Sequence, residues 1–115
     1  MQRPSNKQSR GANADEKKFM SWCKDQPSIV SGAHGVEVHH CVGSSAKTYV
    51  GAERVHIGHW FCIPLTPDEH YQYHNNKKLF ELQHGSQADL WIKLIGDCDH
   101  VIPLNVIEGI ICYGR

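Results

Sequence analysis

The chain has no long hydrophobic run, no net charge and no closely spaced pair of cysteines, and each absence removes a class of protein. No stretch approaches the roughly 20 consecutive apolar residues of a membrane span, and the N-terminus carries no apolar signal core. A soluble, cytoplasmic protein with no membrane partner is expected. Twelve basic side chains balance twelve acidic ones, so no global field draws the molecule onto DNA, and a nucleic-acid site must be a local patch. The five cysteines are Cys23, Cys41, Cys62, Cys98 and Cys112. None share a zinc-knuckle spacing, and an odd number does not close a disulfide framework, so buried reduced thiols are expected. With 115 residues, 40% of them hydrophobic, the chain has room for one domain with a modest core. It has no internal repeat.

What the chain does have is histidine, nine in all. Histidine is the commonest metal ligand and the side chain most readily poised near neutral pH. His70 and His74 follow a strong helix start: Thr66 as N-cap, Pro67 at the first helical position and Glu69 closing a capping box. Four residues apart on that helix, the two imidazoles project from one face and suit one metal ion. His39 and His40 end an alternating run, Val36-Glu37-Val38. A regular strand over 36–42 puts Glu37, His39 and Cys41 on one face and Val36, Val38, His40 and Val42 on the other. The two histidines therefore divide their labour, one as ligand and one as base. Among three valines, His40 reads as a buried core histidine unless a bulge opens a cleft there.

The remaining segments frame this centre. Residues 1–13 read as a disordered basic arm, and 14–115 as a single folded domain. Residues 15–24 form an amphipathic helix with Phe19, Trp22 and Cys23 on its stripe. Residues 43–58 read as a long polar loop holding Lys47, Tyr49, Arg54 and His56, and 59–65 as a second strand. The capped helix runs to about residue 75 or 76, after which Leu79, Phe80 and Leu82 supply packing surface before His84-Gly85 ends the segment. Ser86 starts another amphipathic helix with Leu90, Trp91 and Leu94 as packing residues. Residues 101–113, interrupted by Pro103 and Gly109, fit an edge strand or extended docking segment.

The order Glu37-x-His39-His40, glycine-rich loop, apolar strand, His70-x3-His74 resembles the HNH superfamily of ββα-metal (His-Me finger) endonucleases. The resemblance is strongest to the small HNH-like proteins of lambdoid phages and prophages, a group that includes recombination-associated nucleases. Trp22-Cys23-Lys24-Asp25-Gln26-Pro27, Val38-His39-His40, Ile63-Pro64-Leu65, His70-x3-His74 and Phe80 through Gly85-Ser86-Gln87 fall in that family's order over residues 18–96.

The resemblance implies an α+β domain with a ββα-metal hairpin and helix, flanked by helices on its N- and C-terminal sides. It implies hydrolysis of DNA phosphodiester bonds with one divalent ion (Mg2+, Zn2+, Ni2+ or Mn2+). His39, His70 and His74 would be ligands, His40 the general base, and Glu37 a residue orienting a ligand. His59 stands where members commonly carry Asp or Asn, and would orient the base loop or add a ligand. Where many members place C-x2-C, this chain reads Ser28-Ile29-Val30-Ser31, so packing must replace a structural zinc. Lys47, Arg54, Lys77 and Lys78 are the candidate DNA contacts, and a host recombination protein is a possible partner. The alternative is a non-catalytic, metal-stabilised nucleic-acid-binding module, favoured if His59 or His56 completes a closed four-ligand shell. A metal-free interaction protein with ordinary histidines ranks third.

Overall fold

Asn13 opens the first helix. Its side chain accepts from the Glu16 N–H at 2.8 Å, while the Glu16 carboxylate accepts from the Asn13 N–H at 2.9 Å, a reciprocal cap that satisfies two otherwise orphaned donors. The computed structural model describes residues 12–41, 47–50, 53–98, 100 and 102–113, and over these the chain is an α+β fold. In chain order it runs α1 (Ala14–Lys24), β1 (Glu37–His40), β2 (Lys47–Val50), β3 (Glu53–His56), a 3-10 turn (Gly58–Trp60), β4 (Cys62–Leu65), α2 (Pro67–Asn75), α3 (Lys77–His84), α4 (Gln87–Ile95) and α5 (Leu104–Tyr113). The expected arm at 1–13 lies outside the described residues as far as residue 11, and Asn13 belongs to the helix as its cap.

Two antiparallel pairs make up the strands. β1 pairs with β4, His39 opposite Ile63 and His40 opposite Cys62. Between them in sequence, β2 and β3 form a second pair, Thr48 opposite Val55 and Tyr49 opposite Arg54. This corrects the reading of 43–58 as a loop: the β-branched and aromatic residues at 48–50 and 55 favour extended backbone, which polar neighbours had masked.

The second correction concerns 101–113. This segment is helix α5, with Val106 and Ile110 buried one turn apart, and it packs against β2 and β3. The Pro103 carbonyl accepts from Val106 and Ile107 at 3.0 and 3.2 Å, so the proline begins the helix, where its missing N–H costs nothing. The run 59–65 also divides, with a 3-10 turn preceding the strand that starts at Cys62.

Asn76 separates α2 from α3, and its side chain accepts from the Leu79 N–H at 3.1 Å, so residues 77–84 are a helix of their own. Only Phe80 of the expected packing residues is buried there, whereas Leu79 and Leu82 are 47% and 83% exposed. Ser86 caps α4, as expected. Phe19, Ile57, Phe61, Ile63, Leu65, Trp91 and Ile110 are fully buried at the centre, where the Trp91 indole N–H donates to the Trp60 carbonyl at 2.7 Å. The five cysteines form no disulfide: Cys23, Cys41 and Cys62 are buried, Cys98 half-buried and Cys112 exposed. No helix among the described residues is long and apolar enough to cross a membrane.

Candidate metal centre

Helix α2 is positioned at its first turn. Thr66 accepts from the Glu69 N–H at 3.2 Å, and Glu69 accepts from the Thr66 N–H at 2.9 Å. Glu69 also accepts a 2.6 Å bond from the hydroxyl of buried Ser28, whose Oγ in turn accepts from the N–H groups of Val30 and Ser31. The Ile29 N–H bonds the Pro64 carbonyl at 3.1 Å. Residues 28–31 are thus tied to β4 and α2 by hydrogen bonds. Burial works to raise the Glu69 pKa, but bonds from Ser28, Ser31 and Thr66 hold it below the usual carboxylate value.

With α2 so placed, His70 and His74 meet His39 of β1. One nitrogen from each of the three rings falls within 4.8 Å of the others, and the ring centroids lie 4.8 Å (His39–His70), 5.7 Å (His39–His74) and 4.8 Å (His70–His74) apart. Three imidazoles form a donor set that fits a divalent ion. Among the described residues this cluster has three histidines and no fourth His, Cys, Asp or Glu.

Two of the three rings are held from behind. Glu37 Oε1 is 2.9 Å from His70 Nδ1, which leaves Nε2 as the other ring nitrogen that His70 can offer a metal. Gln87 Oε1 is 3.2 Å from His39 Nε2, which leaves Nδ1 as the other ring nitrogen that His39 can offer a metal. Such partners fix ring orientation and tautomer. Desolvation depresses the His39 pKa to about 4, against the raising effect of the Gln87 bond and together with the charges of His70, His74 and His40. Its imidazole is neutral at physiological pH, the form that binds metal.

The two strand histidines are the reverse of the valine-face expectation. His39 is buried, at 2% exposure, and His40 is exposed. No bulge interrupts the β1–β4 register; α2 packs against β1, while His40, the last residue of the strand, lies at the surface. His40 Nε2 lies 3.3 Å from Nδ1 of His59 in the 3-10 turn. Burial, then the neighbouring His59, lowers the His40 pKa. His59 therefore pairs with His40 and stands apart from the three-histidine cluster.

That cluster sits inside a recognised sequence family, for a family model matches residues 1–102. The chain belongs to the family DUF968, described as a protein of unknown function. No curated protein and no solved structure matches it.

Of the other residues picked out by sequence, Lys77 and Lys78 are exposed on the first turn of α3. Lys47, Arg54 and His56 lie in the β2–β3 hairpin, with their side chains outside the described residues. Sequence reasoning missed Gln87, Tyr73 and Glu16. Gln87 precedes Leu90, Trp91 and Leu94 at helical spacing, and Glu16 precedes Phe19 and Cys23 likewise. A polar side chain on an apolar stripe was the available signal.

Proposed function

We propose that the chain is a metal-dependent endonuclease of the ββα-metal type that hydrolyses DNA phosphodiester bonds. The observation that carries this reading is that His39, His70 and His74 converge from a strand and a helix, with a neutral, exposed imidazole, His40, next in sequence. A ligand cluster of three protein nitrogens leaves coordination places for substrate, as hydrolysis requires.

In this reading a divalent ion supplies charge stabilisation at the scissile phosphate and the departing oxygen. His40 accepts the proton of the attacking water. When its Nε2–H donates to His59 Nδ1, the basic lone pair of His40 is on Nδ1, and His59 holds the ring in that tautomer. Glu37 fixes His70 so that its Nε2 faces the cluster. Lys77 and Lys78, together with Lys47 and Arg54, are the proposed phosphate contacts, and such contacts position DNA without reading its sequence. On the family resemblance, the reaction belongs to phage or prophage DNA recombination or processing, with a host recombination protein as partner.

The test is elemental analysis of the purified protein joined to a cleavage panel of single-stranded, duplex and branched DNA with Mg2+, Mn2+, Ni2+ and Zn2+. Metal-dependent nicking that His40→Ala abolishes is the expected result. Metal-loaded protein that leaves every substrate intact overturns the enzyme reading in favour of the non-catalytic binding module.

A further inference from the structure

The reaction proposed above makes no use of one buried polar side chain that touches a ligand. Gln87, at the first position of α4, is 5% exposed. Its Oε1 lies 3.2 Å from His39 Nε2, and its Nε2 donates to the Tyr73 hydroxyl oxygen at 2.6 Å. Tyr73, itself buried, lies on α2 between the two helical histidines and packs on His39, with ring centroids 4.7 Å apart. One amide therefore joins the strand ligand to the helix that carries the other two.

An amide has distinct ends: its nitrogen donates and its oxygen accepts. With the nitrogen donating to Tyr73, the oxygen faces His39 and is satisfied when His39 carries its proton on Nε2. The opposite amide orientation would present a donor to Nε2, place the ring proton on Nδ1 and leave His39 no bare nitrogen for a metal.

We propose that Gln87 is a positioning residue that holds His39 as the Nε2–H tautomer and so commits His39 Nδ1 to a divalent ion, with its amide nitrogen on the Tyr73 hydroxyl. This rests on the metal reading of the three histidines. It also gives α4 a part in the centre that the HNH-like strand and helix do not supply.

Two measurements test it. Long-range 1H–15N NMR of the metal-free protein reads the His39 tautomer directly, with a protonated Nε2 and a bare Nδ1 expected. Zinc affinity is then titrated against a chromophoric chelator for wild type, Gln87→Leu and Gln87→Glu, each checked for native circular dichroism. Gln87→Leu removes the acceptor at similar volume and weakens zinc about 10- to 100-fold. Gln87→Glu keeps an acceptor toward Nε2 and takes the tyrosine O–H as donor, so it preserves or strengthens zinc binding, a rescue that a purely structural role does not produce. A wild-type Nδ1–H tautomer, or equal zinc affinity in wild type and Gln87→Leu, overturns the role of Gln87 alone. Failure of wild type to bind zinc while His39 holds the Nε2–H form overturns the metal reading, and with it the ligand half of this proposal.

Discussion

Glu16 Oε2 accepts a 2.9 Å hydrogen bond from the backbone N–H of His59, 43 residues further along the chain. The same carboxylate caps α1 through its other oxygen and is 2% exposed. It ties the first helix to the turn that presents His59 to His40. Space there is tight: Gly58 has φ +73°, and a Cβ on it would lie 2.6 Å from Glu16 Oε2.

Replacing Glu16 by Ala removes two backbone hydrogen bonds to a charged acceptor, a loss of about 2–3 kcal/mol. Gly58→Ala adds left-handed backbone strain of about 1–2 kcal/mol and displaces the same carboxylate. Both variants are expected to melt lower than wild type, by about 4 °C for each kcal/mol lost. Thermal denaturation checks this, and an unchanged melting temperature in both would show that the carboxylate supports nothing.

His40 and His74 should fail differently. His40→Ala is expected to lower cleavage about a hundred- to ten-thousand-fold, the usual span for a general base, with metal affinity largely kept. His74→Ala should lose metal binding and cleavage together. Isothermal titration with zinc beside a nicking assay separates the two, and equal metal loss in both variants would remove the division of labour.

Metal should stabilise the fold by mass action. At a free concentration a hundredfold above Kd the gain is about 2.7 kcal/mol, or roughly 10 °C in a domain of this size. Zinc added to chelator-treated protein is expected to raise the melting temperature by that order, and a chelator to reverse it. His70→Ala should abolish the response.

The acid limb of the pH–rate profile follows from His40. The base must be neutral, and burial followed by His59 lowers its pKa below 6.5. Cleavage is therefore expected to persist as pH falls past 6.5 and to be lost only below it. A limb at or above 6.5 would remove His40 as the titrating base.

Stability has its own acid limb, set by Glu69. Its folded pKa lies below the ordinary 4.5, so its contribution is fully present above 4.5 and is lost as pH falls through the lower folded value. Melting curves of wild type and Glu69→Gln should converge over that interval. A constant gap between them would show that the charge of Glu69 does not support the helix start.

Much of the centre was legible because it is local. A capping box and i,i+4 spacing depend on neighbours in sequence, so the start of α2 and the shared face of His70 and His74 follow from residues 66–74 alone. Alternation likewise assigned His39 and His40 to opposite faces. Which of those faces would be covered was a different matter, because burial depends on the element that packs there. Counting valines chose His40 for the interior; α2 chose His39. The same limit hid α5, whose β-branched residues lean toward strand until packing against β2 and β3 decides for helix.

By itself the sequence determined the spacing of the histidines, the capped helix that carries two of them and the lack of a closely spaced cysteine pair, since each is written in contiguous residues. Only the tertiary structure decided that Glu37 backs His70, Gln87 backs His39 and Glu16 holds His59. Those bonds join residues 33, 48 and 43 positions apart, and no local pattern encodes a contact that exists only once helices have closed over a strand.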